Sequence, residues 1–335
     1  MLFTALTVAE DVCGIIDLPT TWTKEHSPYR ITGDVQIAAA ARLTIEAGVE
    51  VLVATGEACG ETKQIDWSDS NYISIKAFGP LVIKGTAKEP VKFSPENPIA
   101  GKVQWDGIRL PFKDKAAVQI EFLHISGANK AINASYGKFN VGNSLFIGNG
   151  TGIWAEPEAN LSVYNCIFTE NLSAGIYIKD SRVQAVANIF YKNSTFGILS
   201  DSRLSPKINS NIFFGNSDTD CRFCPVGTNK QNIFKDPIFS GSATEKALIK
   251  KDPSLPTPAK NIKDTVIHKI YTDAIGDTAK TIVQATSALP FSLSKYSPAL
   301  NAAPNTDFFK NNDGSQGDIG LYGGKTGRYN KEISY

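Results

Sequence analysis

The sequence predicts an all-β fold, a parallel β-solenoid of about 22 residues per coil, from two ladders of recurring residues that run in step. The first ladder is aromatic. The phrases "NSLFIGN", "NCIFTEN", "NIFYKN", "NIFFGN" and "NIFKD" place Phe146, Phe168, Phe190, Phe213 and Phe234 at intervals of 21 to 23 residues. Three positions after the first four of these stand Asn149, Asn171, Asn193 and Asn216. The second ladder is aliphatic: Ile108, Ile132, Ile153, Ile176 and Ile198 recur at nearly the same interval, mostly after Gly, as in "DGI", "TGI", "AGI" and "FGI". The period is too short for paired-helix repeats, and the segments are β-branched, aromatic and punctuated by Gly.

A solenoid explains both ladders. Each coil buries its apolar face only against its neighbours, so like residues stack along the bore at roughly 4.8 Å. Asn at a repeated bend tolerates unusual dihedrals and can hydrogen-bond backbone groups of the next coil. Gly before Ile frees space that a Cβ would obstruct. His124, 22 residues before Phe146, falls on the aromatic ladder and reads either as a core residue or as a catalyst.

The flanking segments follow in order. "MLFTALTVAEDVCG" fits either the end of a secretory signal or an ordinary first strand. Residues 1–32 are expected to form an N-terminal cap, 33–239 the coils, 240–290 a partly helical insertion and 291–335 a closing tail. Within the insertion, Val266, Ile267, Ile270, Tyr271, Ala274 and Ile275 lie at helical spacing. They suit short helices lying on the coil or, alternatively, a partner-binding helix.

Three stretches extend the pattern toward a known group. "GDVQIAAAARLTIEAGVEVLV" (Gly33–Val53), "GPLVIKGTAKEPVKFSP" (Gly79–Pro95) and "WDGIRL" (Trp105–Leu110) resemble the opening coils of secreted bacterial right-handed parallel β-helix proteins of the pectin-lyase-like kind. "NIFKDPIF", "YSPALNA" and "GDIGLYGG" are similar to the closing segment of that group. The resemblance implies a right-handed coil and a secreted, cell-surface or periplasmic location. It is mute on activity, because the group holds lyases, hydrolases, binding proteins and surface proteins.

Composition narrows the function. With 34 Lys and Arg against 33 Asp and Glu, there is no excess of basic charge to recruit nucleic acid. No run reaches the roughly 18 apolar residues of a membrane helix. Three His argue against a His-based metal cage, and no metal site is expected. Five Cys include the pair Cys221 and Cys224 in "CRFC", which suits a local disulfide or two plain thiols better than zinc, since no second pair follows.

For catalysis the best candidates are "KDSR" and "SDSR", one coil apart. Stacking would bring Asp180 near Asp201 and Arg182 near Arg203, with Glu158 one coil earlier. The plain alternative is turn chemistry with solvated charges. The pectate lyase "DH" and polygalacturonase "DD" and "GHG" signatures are absent. A lyase would add a calcium cage of converging carboxylates; otherwise no cofactor is expected. Trp105, Trp154 and Tyr177 are candidates to stack on a sugar, and Asp106 and Arg109 to face solvent beside Trp105. The expectation is a structural or glycan-binding protein without catalysis, its partner a polysaccharide or cell-surface component. The alternative is a polysaccharide lyase or glycoside hydrolase acting on an acidic polysaccharide.

Overall fold

Short β-branched and aromatic runs separated by single bends leave each strand only its equivalent one coil away as a partner. The structure, a computed structural model, describes residues 9–55, 59, 72–111, 118–224, 231–240, 242–244, 291–294, 296–306, 308–310, 315–321 and 323. Three parallel faces result. The first sheet has eight strands stacked in chain order, from Thr20–Trp22 and Leu43–Glu46 to Arg182–Val186 and Lys207–Asn209. The second face runs from Glu50–Val53 through Leu145–Ile147, Ile167–Thr169 and Ile189–Tyr191 to Ile212–Phe214. The third runs from Ser74–Ala77 through Lys130–Ser135, Thr151–Ala155 and Ala174–Lys179 to Phe196–Asp201 and Thr219–Arg222.

The long strand Tyr29–Ile37 bends and serves two faces, its first half pairing with Glu50–Val53 and its second with Ser74–Ala77. Parallel pairing begins even earlier, because Glu10–Ile16 lies along both halves of that strand. Parallel pairing thus extends into the stretch expected as an N-terminal cap. With the bridge between Ile212 and Ile233 at the far end, the solenoid makes about nine turns. The expected helical insertion at 240–290 lies outside the described residues, apart from residues 240 and 242–244.

Alternation decides what enters the bore. In Ala159–Tyr164, Leu161 and Val163 are buried while Asn160 and Ser162 face out. The aromatic ladder stands inside as a column of parallel rings, with Phe146–Phe168, Phe168–Phe190 and Phe190–Phe213 centroids 4.7, 5.0 and 4.8 Å apart. The ladder carries the expected glycines with it. A Cβ on Gly175 would lie 2.7 Å from both the Gly197 carbonyl oxygen and the Phe190 ring, so room for the rings and the next coil, rather than bending, requires Gly there. His124 is not a member of this column. That coil advances by 21 residues, which pairs Ile125 with Phe146 and turns His124 outward beside Leu145 and Lys92.

Two columns of amides close the bends. Asn171 is fully buried, and its Nδ2 donates to the Phe146 carbonyl (3.2 Å) and to Asn193 Oδ1 (2.8 Å). Its own Oδ1 accepts from the backbone N–H (3.1 Å) and Nδ2 (3.2 Å) of Asn149. Both donors and both acceptor sites are therefore used, which only an amide can achieve here. A second column, not foreseen from the sequence, joins Asn188, Asn211 and Asn232 in the same manner. It gives way to Cys166 and Ser144 toward the N-terminus. The buried Cys166 thiol reaches the Val141 carbonyl at 3.7 Å, and burial pushes its pKa well up. The amides of Asn149, Asn171 and Asn193, each in an N-x-S/T triplet, are consumed in the first column and buried.

The second face explains the tail. Its outward column begins polar, with Glu50, Lys92 and His124, and becomes apolar at Leu145, Ile167, Ile189 and Ile212. Phe239, Ala299, Ala303, Ile319 and Leu321 cover the apolar half and form a second core with it. The bends hold the tail in place: Asn143 Nδ2 donates to the Leu321 carbonyl (2.7 Å), Asn165 Nδ2 to that of Gly323 (2.8 Å), and Gly320 N–H to that of Ala187 (2.9 Å). Near the other end Cys13 is bonded to Cys59, with Cα atoms 6.4 Å apart, a pairing the sequence did not suggest.

Replacing Asn171 by Ala leaves the Phe146 carbonyl and the Asn149 amide groups without partners, so a loss of about 2–4 kcal/mol is expected in urea unfolding. Asn171→Asp should cost at least as much, because it removes both donors and adds a buried charge. His124 yields a pH test. Burial and Lys92 lower its pKa from 6.5 to about 4, so the folded chain holds it neutral while the unfolded chain takes a proton first. Stability should fall as pH drops from about 6.5 toward 4, and His124→Leu should flatten that slope relative to the native chain.

Candidate functional site

The third face carries the chemically richest surface. Register places Gln36, Lys76, Arg109, Asn133, Trp154, Tyr177, Leu199 and Arg222 in one outward column. Successive members sit one interstrand spacing apart, roughly 4.8 Å. At the foot of the column the charges are spoken for. Buried Lys76 lies 3.4 Å from Asp34, and Arg109 is held by the nearly inaccessible Asp106.

Halfway up, the column turns aromatic. The rings of Trp154 and Tyr177, both partly exposed, sit 4.1 Å apart at an interplanar angle of 46°. The Lys130 ammonium lies over the indole, 3.9 Å from its centre. Burial lowers the Lys130 pKa, and the carboxylates of Glu156 and Asp106 partly offset this. Burial raises the Tyr177 phenol, helped by the charge and hydrogen bond of Asp201. Two polar atoms of this patch, Trp154 Nε1 and Asn133 Oδ1, are buried without a hydrogen-bond partner.

The two DSR bends are less convergent than their stacking suggested. Asp180 does neighbour Asp201 through the backbone, its N–H donating to the Asp201 carbonyl at 3.3 Å. Asp180 Oδ1 accepts from the backbone N–H of Arg203 at 3.3 Å, which makes its carboxylate a bend-closing group. Glu158 stands one coil earlier, with its N–H on the Asp180 carbonyl at 3.1 Å. Across the bend the repeat lengthens from 22 residues (Lys179 with Asp201) to 23 (Gln184 with Lys207), and Arg182 lies on the first sheet, paired with Asn160 of the preceding coil. Asp180, Asp201 and Arg203 are exposed and line a shallow concavity of about 450 Å³ with Ser202 and Phe223. Among the described residues no three His, Cys, Asp or Glu side chains gather as a calcium cage requires.

A second groove, about 430 Å³, runs between the first sheet and the tail, lined by Asn140, Ser162, Gln184, Tyr164, Phe308 and Phe309. At its edge the Tyr164 hydroxyl donates to Glu121 Oε1, and burial raises the pKa of both groups. Gly142 makes that contact possible, since a Cβ there would lie 2.2 Å from the Tyr164 ring.

Trp105 is no sugar platform. It is 0% exposed, stacks toward Phe93 at 6.2 Å, and donates its indole N–H to the Ser126 carbonyl at 2.9 Å. Asp106 is likewise turned in, because the Gly107 bend aims it at Arg109 and not at solvent. Cys221 and Cys224 are bonded, with Cα atoms 5.7 Å apart. Of the candidate aromatics, only Trp154 and Tyr177 share a column. The position of Lys130 over the indole was not foreseen, and nothing in "GANKAI" marks it, because it depends on register.

Comparison with known families agrees with this architecture. The family model described as right handed beta helix region matches residues 97–237, and that described as pectate-lyase like beta helix domain matches residues 14–153. No curated protein and no solved structure gives a match. The two matched stretches together cover residues 14–237, and the chain carries a right-handed β-helix region and a pectate-lyase-like β-helix domain.

Proposed function

We propose that this chain is a non-catalytic glycan-binding protein of the cell exterior, with the outward face of its third sheet as the binding surface. The observation that carries this is the Trp154–Tyr177 pair, two partly exposed rings in register on a flat parallel face. Apolar ring faces framed by polar groups suit a sugar, which offers C–H on its faces and hydroxyls on its rim. The regular spacing of the column favours an extended chain lying along the solenoid. The disulfides Cys13–Cys59 and Cys221–Cys224 support an oxidising compartment. Among the described residues no helix is long and apolar enough to cross a membrane.

A lyase or hydrolase remains the second reading, favoured by the concavity at Asp180, Asp201 and Arg203. It is weaker because those side chains are exposed and Arg182 is not among the residues that line the concavity.

Affinity electrophoresis in gels containing single polysaccharides tests the first reading. Retardation by at least one glycan is expected, with Trp154→Ala weakening binding by about 2 kcal/mol, roughly thirtyfold, while the far-ultraviolet circular dichroism stays native. Incubation of the same glycans with and without calcium should release neither unsaturated products nor reducing ends. Turnover that disappears in Arg203→Ala would replace this reading with the enzyme.

A further inference from the structure

Three groups around Trp154 lack what their chemistry demands. Lys130 is half-buried with the indole face under its ammonium, and among the described residues no carboxylate comes within ion-pair distance, Glu156 and Asp106 acting on it from further away. A desolvated ammonium on a ring recovers about 2 kcal/mol, less than a buried charge needs. The indole N–H is a buried donor without an acceptor, and the Asn133 carbonyl is a buried acceptor without a donor. Register makes these last two groups neighbours, since Asn133 and Trp154 pair on adjacent strands. A cation without an ion-pair partner thus stands on the patch beside a donor and an acceptor that are buried and unpaired.

Most buried polar groups find partners, so three openings in one place are informative. One kind of ligand fills all of them. A carboxylate or sulfate would pair with the ammonium, and a hydroxyl of the same sugar could accept from the indole and donate to the amide once movement of Lys130 uncovers those buried atoms. Lys130 also stands where a sugar ring would stack, so a ring without an anionic group meets an occupied surface.

Resting on the glycan-binding reading above, we propose that Lys130 sets the specificity of the platform: it blocks Trp154 to neutral sugars and yields it to a sugar carrying an anionic group. The anion draws the ammonium off the indole face into an ion pair, and the ring of the same sugar takes its place. Asp106 acts on Lys130 only at a distance, because its carboxylate is paired with Arg109. Glu156 and Lys179 flank the site with opposite charges, so the selectivity rests on Lys130 itself.

The test is titration calorimetry with a uronic acid trisaccharide, its methyl ester and a sulfated trisaccharide, on the native chain, Lys130→Met and Trp154→Ala. Methionine keeps the length and apolar stem of lysine without the charge. The native chain is expected to bind the acid roughly tenfold more tightly than the ester, with a preference that shrinks as salt is added. Lys130→Met should bring the two within about twofold, by weakening the acid and strengthening the ester. The sulfated sugar shows whether any anion or only a carboxylate fits, and its preference should likewise depend on Lys130. An unchanged preference in Lys130→Met overturns the inference while leaving the platform in place, provided Trp154→Ala weakens binding as expected above. Binding of none of the sugars by either the native chain or Lys130→Met overturns both readings.

Discussion

Everything in this molecule depends on the hydrogen bonds that each coil makes to the next. A parallel strand satisfies its backbone through neighbours on both sides, and in a solenoid those neighbours are copies of itself one turn away. The bends are the weak point, because a chain turning sharply leaves amides and carbonyls facing inward. The stacked asparagines remove that weakness. Each supplies two donors and two acceptor sites to the gap, and each is completed by the one above it. Rings and aliphatic side chains fill the bore, but the amide columns permit a bore with corners.

This constraint also decides where function can sit. With the interior given over to stacking, chemistry is confined to the outward columns, and the three faces are used differently. The apolar part of the second face is covered by the tail. The first face presents neutral amides and hydroxyls beside Tyr164 and the tail phenylalanines. The third face combines two partly exposed rings in one column with an ammonium seated on the indole face. A rigid column of this kind orders its side chains before a ligand arrives, which limits the entropy lost on binding.

The coil was legible in the sequence because stacking forces repetition: Phe146, Phe168 and Phe190 must recur if their rings are to meet. The Ser144–Cys166–Asn188 column was harder to see, since its members differ in type and share only a position. The site was less legible still, for a reason of phase. His124 was placed on the wrong column by one residue, and a shift of one turns every side chain to the opposite face. The same uncertainty hid the burial of Trp105 and the extra residue by which the repeat lengthens between Lys179 and Gln184. Residues that repeat announce themselves, whereas residues that act once, such as Lys130, depend on geometry for their meaning.

The clasp between the bends and the tail has a consequence for biosynthesis. Asn143 waits for a partner 178 residues further along the chain, and the strip from Leu145 to Ile212 waits with it. Coils can wind as soon as they leave the ribosome or the export channel, yet the molecule stays adhesive along one flank until its last segment arrives. A chain interrupted late would carry almost the whole solenoid together with a bare hydrophobic stripe, the kind of surface that chaperones retain and that draws unfinished chains together.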